Sequence, residues 1–258
     1  MPTMMLLRVL ALVAIAASST TAFAQDAGPA LDPGLMVGLA PNAAVTYDDA
    51  RKSGGADTAP IALGDLGKQL SGGLMRTPPA MDAATLAKLN YKPSPDTRKA
   101  DVAQFVERLK AVDPQGATQL AAAFSDHDLI DQASGWMTPN GLRATNLADA
   151  VALYWVGAWL ATQGSDAAPS KASLQAVRNQ VAAAAINTPA VTDATDAQRQ
   201  QLAEAMIIQA LIVSQYLGAV KAHPELLDKV KAAAAAGAQN TFGFDIRTLK
   251  LSDTGFSL

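Results

Sequence analysis

Ser125-Asp126-His127-Asp128, followed by Asp131, is the densest polar cluster in the C-terminal two thirds of this sequence. His127 and Asp131 stand at i and i+4. On a helix that spacing puts an imidazole and a carboxylate on one face, where they can hold a metal ion or exchange a proton. A catalytic zinc needs a third protein ligand, and the only other histidine is His223, at the predicted C-terminal end of a helix. Capping explains the same residues with less: Ser125 starts a helix, and acids in its first turn complement the helix dipole. Capping is the preferred reading, and no metal site is assigned.

Glycan cleavage is the second chemistry to weigh. It needs two carboxylates, one held protonated by an apolar setting. The chain has three glutamates, Glu107, Glu204 and Glu225. Glu204 stands out because it precedes an apolar stretch, residues 206–213, on a long predicted helix. No second acid sits at a motif-like spacing, so pairing with Arg199 or Gln200 on the helix surface is preferred. Tyr154, Trp155 and Trp159 could stack on a sugar or a peptide. Aromatics at helical spacing in an apolar helix are more often core, and core is the preferred assignment. No Gly-rich phosphate loop, nucleophile elbow or zinc-protease motif is present.

Composition narrows the classes further. The chain has no cysteine, which removes thiol nucleophiles, zinc–thiolate sites and redox chemistry and leaves packing alone to hold the fold. Residues 1–24 read as a secretory signal peptide, with Arg8, an apolar run over residues 9–17 and the small-x-small site Ala22-Phe23-Ala24 before Gln25. That run is shorter than the roughly 20 residues needed to span a bilayer, and no cysteine follows it to carry a lipid anchor. Loss of Arg8, the one charge in residues 1–24, moves the net charge from −3 to −4. A slightly acidic chain without a Lys/Arg cluster lacks the footprint of a nucleic-acid or anionic-membrane binder. The expectation is a periplasmic or secreted protein with no membrane span after signal cleavage.

The elements that would position these residues divide near residue 95. Residues 25–95 carry Gly and Pro clusters such as Ser53-Gly54-Gly55 and Thr77-Pro78-Pro79 and read as an irregular N-terminal arm. Within it Leu63, Leu66, Leu70 and Leu74 keep helical spacing, against the weakening effect of Gly64, Gly67 and Gly72, as if to dock on the domain or on a partner. Residues 96–258 read as one mainly α-helical domain, a single bundle of about six to seven helices. Residues 147–161 hold one charge, Asp149, and are apolar nearly all round, which marks a buried central helix. Asn146 and Asp149 match a variant of the capping box, and Gly157 and Ala158 would let a neighbouring helix approach. A long helix from about Thr195 to His223 is the second buried one. At the C-terminus Phe242, Phe244 and Ile246 alternate, then Leu249 and Leu251, predicting an extended strap packed on the bundle.

Leu89-Asn90-Tyr91-Lys92-Pro93-Ser94, Gly141-Leu142-Arg143, and Asn146-Leu147-Ala148-Asp149-Ala150 with Tyr154-Trp155 and Trp159 together resemble an exported bacterial family catalogued as domain of unknown function 6683. The tail, Leu251 followed by Gly255-Phe256, is similar to that family's ending. The resemblance spans residues 89–256. It implies export and a helical domain, and brings no activity, cofactor or catalytic residue. The sequence therefore reads as an exported, non-enzymatic domain that engages a protein partner in the envelope, without a cofactor and of open oligomeric state. The rival is a cell-wall hydrolase using Glu204 or the His127/Asp131 cluster. What separates them is whether Glu204 or His127 lines a concave pocket beside a second carboxylate.

Overall fold

The computed structural model describes residues 61, 63–74, 81–111 and 114–258. The expected signal peptide and the arm up to residue 60 lie outside them. The architecture is mainly α. Ten α-helices follow in order: α1 Leu63–Gly73, α2 Ala83–Ala87, α3 Pro95–Lys110, α4 Pro114–Asp126, α5 Leu129–Met137, α6 Leu147–Gln163, α7 Lys171–Ala185, α8 Pro189–Thr192, α9 Asp196–Val220 and α10 Leu227–Phe242. A short antiparallel hairpin, β1 Lys250–Ser252 and β2 Gly255–Ser257, closes the chain.

The apolar stretch from residue 147 is the axis of the bundle. Asn146 caps α6 by accepting the Asp149 amide at 3.2 Å, and Gly164, at φ 67°, ends it. Between them most side chains are buried, because α9 lies along one side of α6 while α7 and α10 cover others. The 25-residue α9 starts with a closed capping box between Thr195 and Gln198. By length and composition α9 alone among the described helices passes for a membrane span. Here it is a core helix, packed on α6, α3, α5 and α10.

The capping box expected at residue 146 forms only by half. Asp149 does not reach back to Asn146; its Oδ2 accepts the Arg143 amide at 2.9 Å. Asn146 turns its Nδ2 instead to Leu86 O at 2.8 Å and Asn90 Oδ1 at 2.7 Å. Around this pair Leu147 N donates to Leu89 O, Tyr91 N to Thr145 O, and Tyr91 OH to Ala144 O. Residues 89–91 are thus stitched to residues 144–147, which join two of the other stretches that carry the family resemblance.

Packing starts upstream of residue 96. Ile61, Leu63, Leu66, Leu70, Leu74, Leu86, Leu89 and Tyr91 all belong to the core, and α1 packs on α7 and α10. The glycines that weaken α1 as an isolated helix do not decide, because its leucine face is buried against two helices. One of them is required. A Cβ at Gly67 would stand 2.0 Å from the Phe242 carbonyl oxygen, so only glycine lets α1 approach the end of α10. Gly67→Ala is expected to lift α1 off, costing about 1–3 kcal/mol as an overpacked site, with trypsin cleaving at Lys68 well before the parent is cut.

The strap follows a 3₁₀ turn, Ile246–Thr248, with Ile246, Leu249 and Phe256 buried. Gln180 on α7 holds it: Phe256 N donates to Gln180 Oε1 at 2.8 Å, and Gln180 Nε2 donates to Phe256 O at 2.7 Å. A side-chain amide that both donates to and accepts from one residue imitates a β-bridge, and it leaves no buried backbone group of Phe256 unpaired.

Candidate functional site

Glu204 lies on α9 with its side chain 1% exposed, the most secluded of the three glutamates and of the His127 cluster's carboxylates. It does not pair with Arg199. Arg98 reaches down from α3 and donates Nε to Glu204 Oε1 at 2.9 Å. Gln200, one turn before, donates to the same oxygen at 3.1 Å while gripping Ser94 through both backbone groups. The other guanidinium arm meets Asp128 and, at 3.4 Å, Asp131. One arginine therefore ties α3, α9 and the start of α5 together. The sequence placed Glu204 and Asp131 in separate candidate sites; the structure joins both through Arg98.

His127 does not share in this. α4 continues through Asp126, so Ser125 lies inside it, and the N-cap of α5 is Asp128, which accepts from the Ile130 and Asp131 amides. His127 sits at the break between two helices, exposed, and its spacing to Asp131 no longer implies a common face. Among the described residues no group of three or more His, Asp or Glu side chains gathers to hold a metal ion.

Two further acids are strained by burial. Asp101, one turn beyond Arg98, has an unpartnered buried Oδ2, and burial together with the Glu204 charge pushes its carboxyl up to about 7. Asp149 is pushed up to about 6 by burial, opposed by the Arg143 amide and by the Arg178 and Arg143 charges. Burial likewise raises Glu204, against Arg98. A folded-state pKa above the unfolded value of 3.8 means stability that is present below pH 3.8 and lost as pH rises through about 7 for Asp101 and about 6 for Asp149. Asp82, Asp166 and Asp245 are lowered, so their contribution falls away only below that range. The protein is expected to melt a few degrees higher at pH 5 than at pH 7, and Asp101→Asn should raise the pH 7 value and shrink the difference. A melting temperature that falls on acidification to pH 5 contradicts this.

The aromatics of α6 face the strap. Trp155 is fully buried, with ring centroids 4.7 Å from Phe256, 5.6 Å from Phe242 and 5.8 Å from Phe244. Tyr154 lies 6.0 Å from Phe242, and Trp159, partly buried, donates Nε1 to Leu249 O at 2.9 Å. The ring and hydrogen-bond partners of these aromatics come from the end of α10 and the tail.

The α6–α9 seam holds a cleft of about 430 Å³. Leu153, Val156, Gly157 and Leu160 form its α6 wall, and residues of α9 from Ala210 to Ala219 the opposite one. Ala133 and Trp136 of α5, Leu174 of α7 and the loop residues Ser165, Asp166, Ala167 and Pro169 complete the lining. Neither Glu204 nor His127 lines it, nor does any of Tyr154, Trp155 and Trp159. Gly157, read in the sequence as a point of close helix approach, is the reverse: nothing lies within 4 Å of where its Cβ would stand. Gly218, on the facing helix, is equally open. Each costs about 0.8–1 kcal/mol of helix propensity against alanine with no steric need for it. What they leave is space. A glycine inside an apolar helix was the one signal of this cleft in the sequence, and it was read for packing.

A family model described as a family of unknown function (DUF6683) matches residues 61–258, starting at the first described core residue, upstream of the resemblance read from Leu89. No curated protein and no solved structure matches the chain.

Proposed function

The chain belongs to the family of unknown function DUF6683, and from that premise, which fixes no activity, we propose that it is an exported, non-enzymatic binding domain that takes an elongated apolar ligand between α6 and α9. The observation that carries this is the 430 Å³ apolar cleft held open by Gly157 and Gly218. Its size falls in the range of small-molecule sites, about 300–1,000 Å³, and a few polar residues in its lining (Ser165, Asp166, Ser214 and Gln215) complete the usual pattern of such sites. The signal-peptide features of residues 1–24 support export. A protein partner in the envelope, expected from the sequence, would then deliver or receive the ligand.

The hydrolase reading gains nothing from Glu204. A carboxylate with 1% exposure, paired to Arg98 and Gln200, offers neither a path for a glycan nor a second acid facing a common substrate.

Decanol, a neutral single-chain probe, should raise the melting temperature of the parent by mass action and leave Gly157→Leu unmoved. Leucine at 157 fills the cleft from a helix position that gains propensity, so the variant itself should fold at least as well. No shift in the parent at probe concentrations up to saturation sinks the proposal.

A further inference from the structure

We infer that Arg143, in the loop before α6, and Lys171, Gln175 and Arg178, on one face of α7, form a binding site for a phosphate group. The site is separate from the cleft, whose lining includes none of the four. What carries it is a set of hydrogen-bond donors brought together without acceptors. Lys171, Gln175 and Arg178 follow i, i+4, i+7 and so share a helix face. Gly141 is the point at which they meet. A Cβ there would stand 2.1 Å from Gln175 Nε2 and 3.2 Å from Lys171 Cε, and Arg178 Nη1 donates to the Gly141 carbonyl at 3.4 Å. Arg143 joins them through Asp149: its Nε lies 3.7 Å from Asp149 Oδ2, and Arg178 Nη1 lies 3.9 Å from Oδ1.

Those last two distances are charge attraction without a hydrogen bond. Asp149 is buried, so it holds both guanidinium groups from the interior and leaves their N–H groups untaken. Among the described residues the Arg143 guanidinium, the Lys171 ammonium and the Gln175 amide donate to nothing, while Arg178 uses Nε on Asn179 and Nη1 on Gly141. A guanidinium carries its donors in a planar fork that suits an oxyanion. Charge selects which oxyanion. Asp149 is the one carboxylate within ion-pair range of these three cations among the described residues, which leaves two positive charges in excess. A phosphate monoester near neutral pH carries about −1.5 to −2 and balances that excess; a carboxylate brings a single charge.

Calorimetry on the purified protein at about pH 7.5 and about 0.05 M salt tests the site, with inorganic phosphate and glycerol phosphate as probes and acetate as the comparison. Both phosphates should bind, acetate should bind several-fold more weakly, and the affinity should fall as salt rises to about 0.5 M. Arg143→Gln and Lys171→Gln alter exposed side chains, so both variants should melt like the parent while each weakens phosphate about two- to fivefold. Gly157→Leu, which fills the cleft, should bind phosphate as the parent does, so the two sites can fail independently. Phosphate held no more tightly than acetate overturns the inference. So does an Arg143→Gln/Lys171→Gln double variant that keeps the parent's affinity. Sedimentation with phosphatidylglycerol vesicles separates a soluble phosphate from a lipid surface: capture by the vesicles without binding of either free phosphate gives the patch to a membrane and overturns the site.

Discussion

Trp155→Ala is expected to lower the melting temperature by roughly 10 °C or more. Trp155 has no exposed surface and touches Phe242, Phe244 and Phe256, so it joins the central helix, the end of α10 and the strap. Truncating a buried aromatic to alanine removes about 3–5 kcal/mol, and in a domain of this size each kcal/mol moves the midpoint by about 2–4 °C. The loss should loosen the strap as well, because Phe256 would lose its nearest aromatic ring, at 4.7 Å, and keep Trp159, the Gln180 bridge and its pairing with Leu251. Hydrogen exchange at the Phe256 amide should therefore accelerate beyond the global change. Trp155→Phe is the informative control. The indole Nε1 is buried with no acceptor, so phenylalanine removes an unsatisfied donor along with some contact, and it should cost much less. A Trp155→Ala protein that unfolds like the parent shows that the strap packs elsewhere.

Arg98→Ala should be comparably damaging, about 3–5 kcal/mol, because it strands the Glu204 carboxylate in the interior. The defect should be pH-dependent. Protonated Glu204 no longer needs a cation, so Arg98→Ala should recover much of its stability on acidification toward pH 5, by more than the parent gains. Arg98→Met with Glu204→Leu removes both charges and should stand close to the parent, since apolar replacements of a buried ion pair are often neutral or stabilising. Thermal melts of the two singles and the double at pH 5 and 7 measure the coupling. Additive losses would mean that Arg98 is held by Asp128 and Asp131 alone. If Glu204 served a reaction rather than the fold, Glu204→Gln would leave stability untouched. Here it should weaken the tie between α3 and α9 while Gln200 keeps its hold on Ser94.

Periodicity and capping, being local, were legible. The apolar circumference of residues 147–161 identified α6 as central before any contact was known, and Thr195 as the start of α9 follows from its capping chemistry. The strap was legible only from Leu249 on: the alternation upstream of it does not mark an extended segment, because Phe242 ends α10 and Ile246 opens a 3₁₀ turn. Errors arose where two local signals competed. Ser125 and Asp128 are both good caps, and only the continuation of α4 through Asp126 decides for Asp128, moving His127 into a corner. The glycines of α1 argued for an arm, and only the closeness of Phe242 shows that Gly67 is the residue that lets α1 dock.

What the sequence by itself determined is the class of fold, the buried central helix, and the lack of cysteine thiols, because each follows from residue type and near spacing. What only the tertiary structure decided is the partnership of residues distant in the chain. Arg98 joins Glu204 and Asp131 across 106 and 33 positions, Asn146 stitches itself to Leu86 and Asn90, and Gly157 and Gly218 leave facing gaps rather than a tight seam. Spacing along one helix sets which side chains share a face. Which face meets which is set by burial of the whole apolar surface at once, and that sum is not written in any single stretch of sequence.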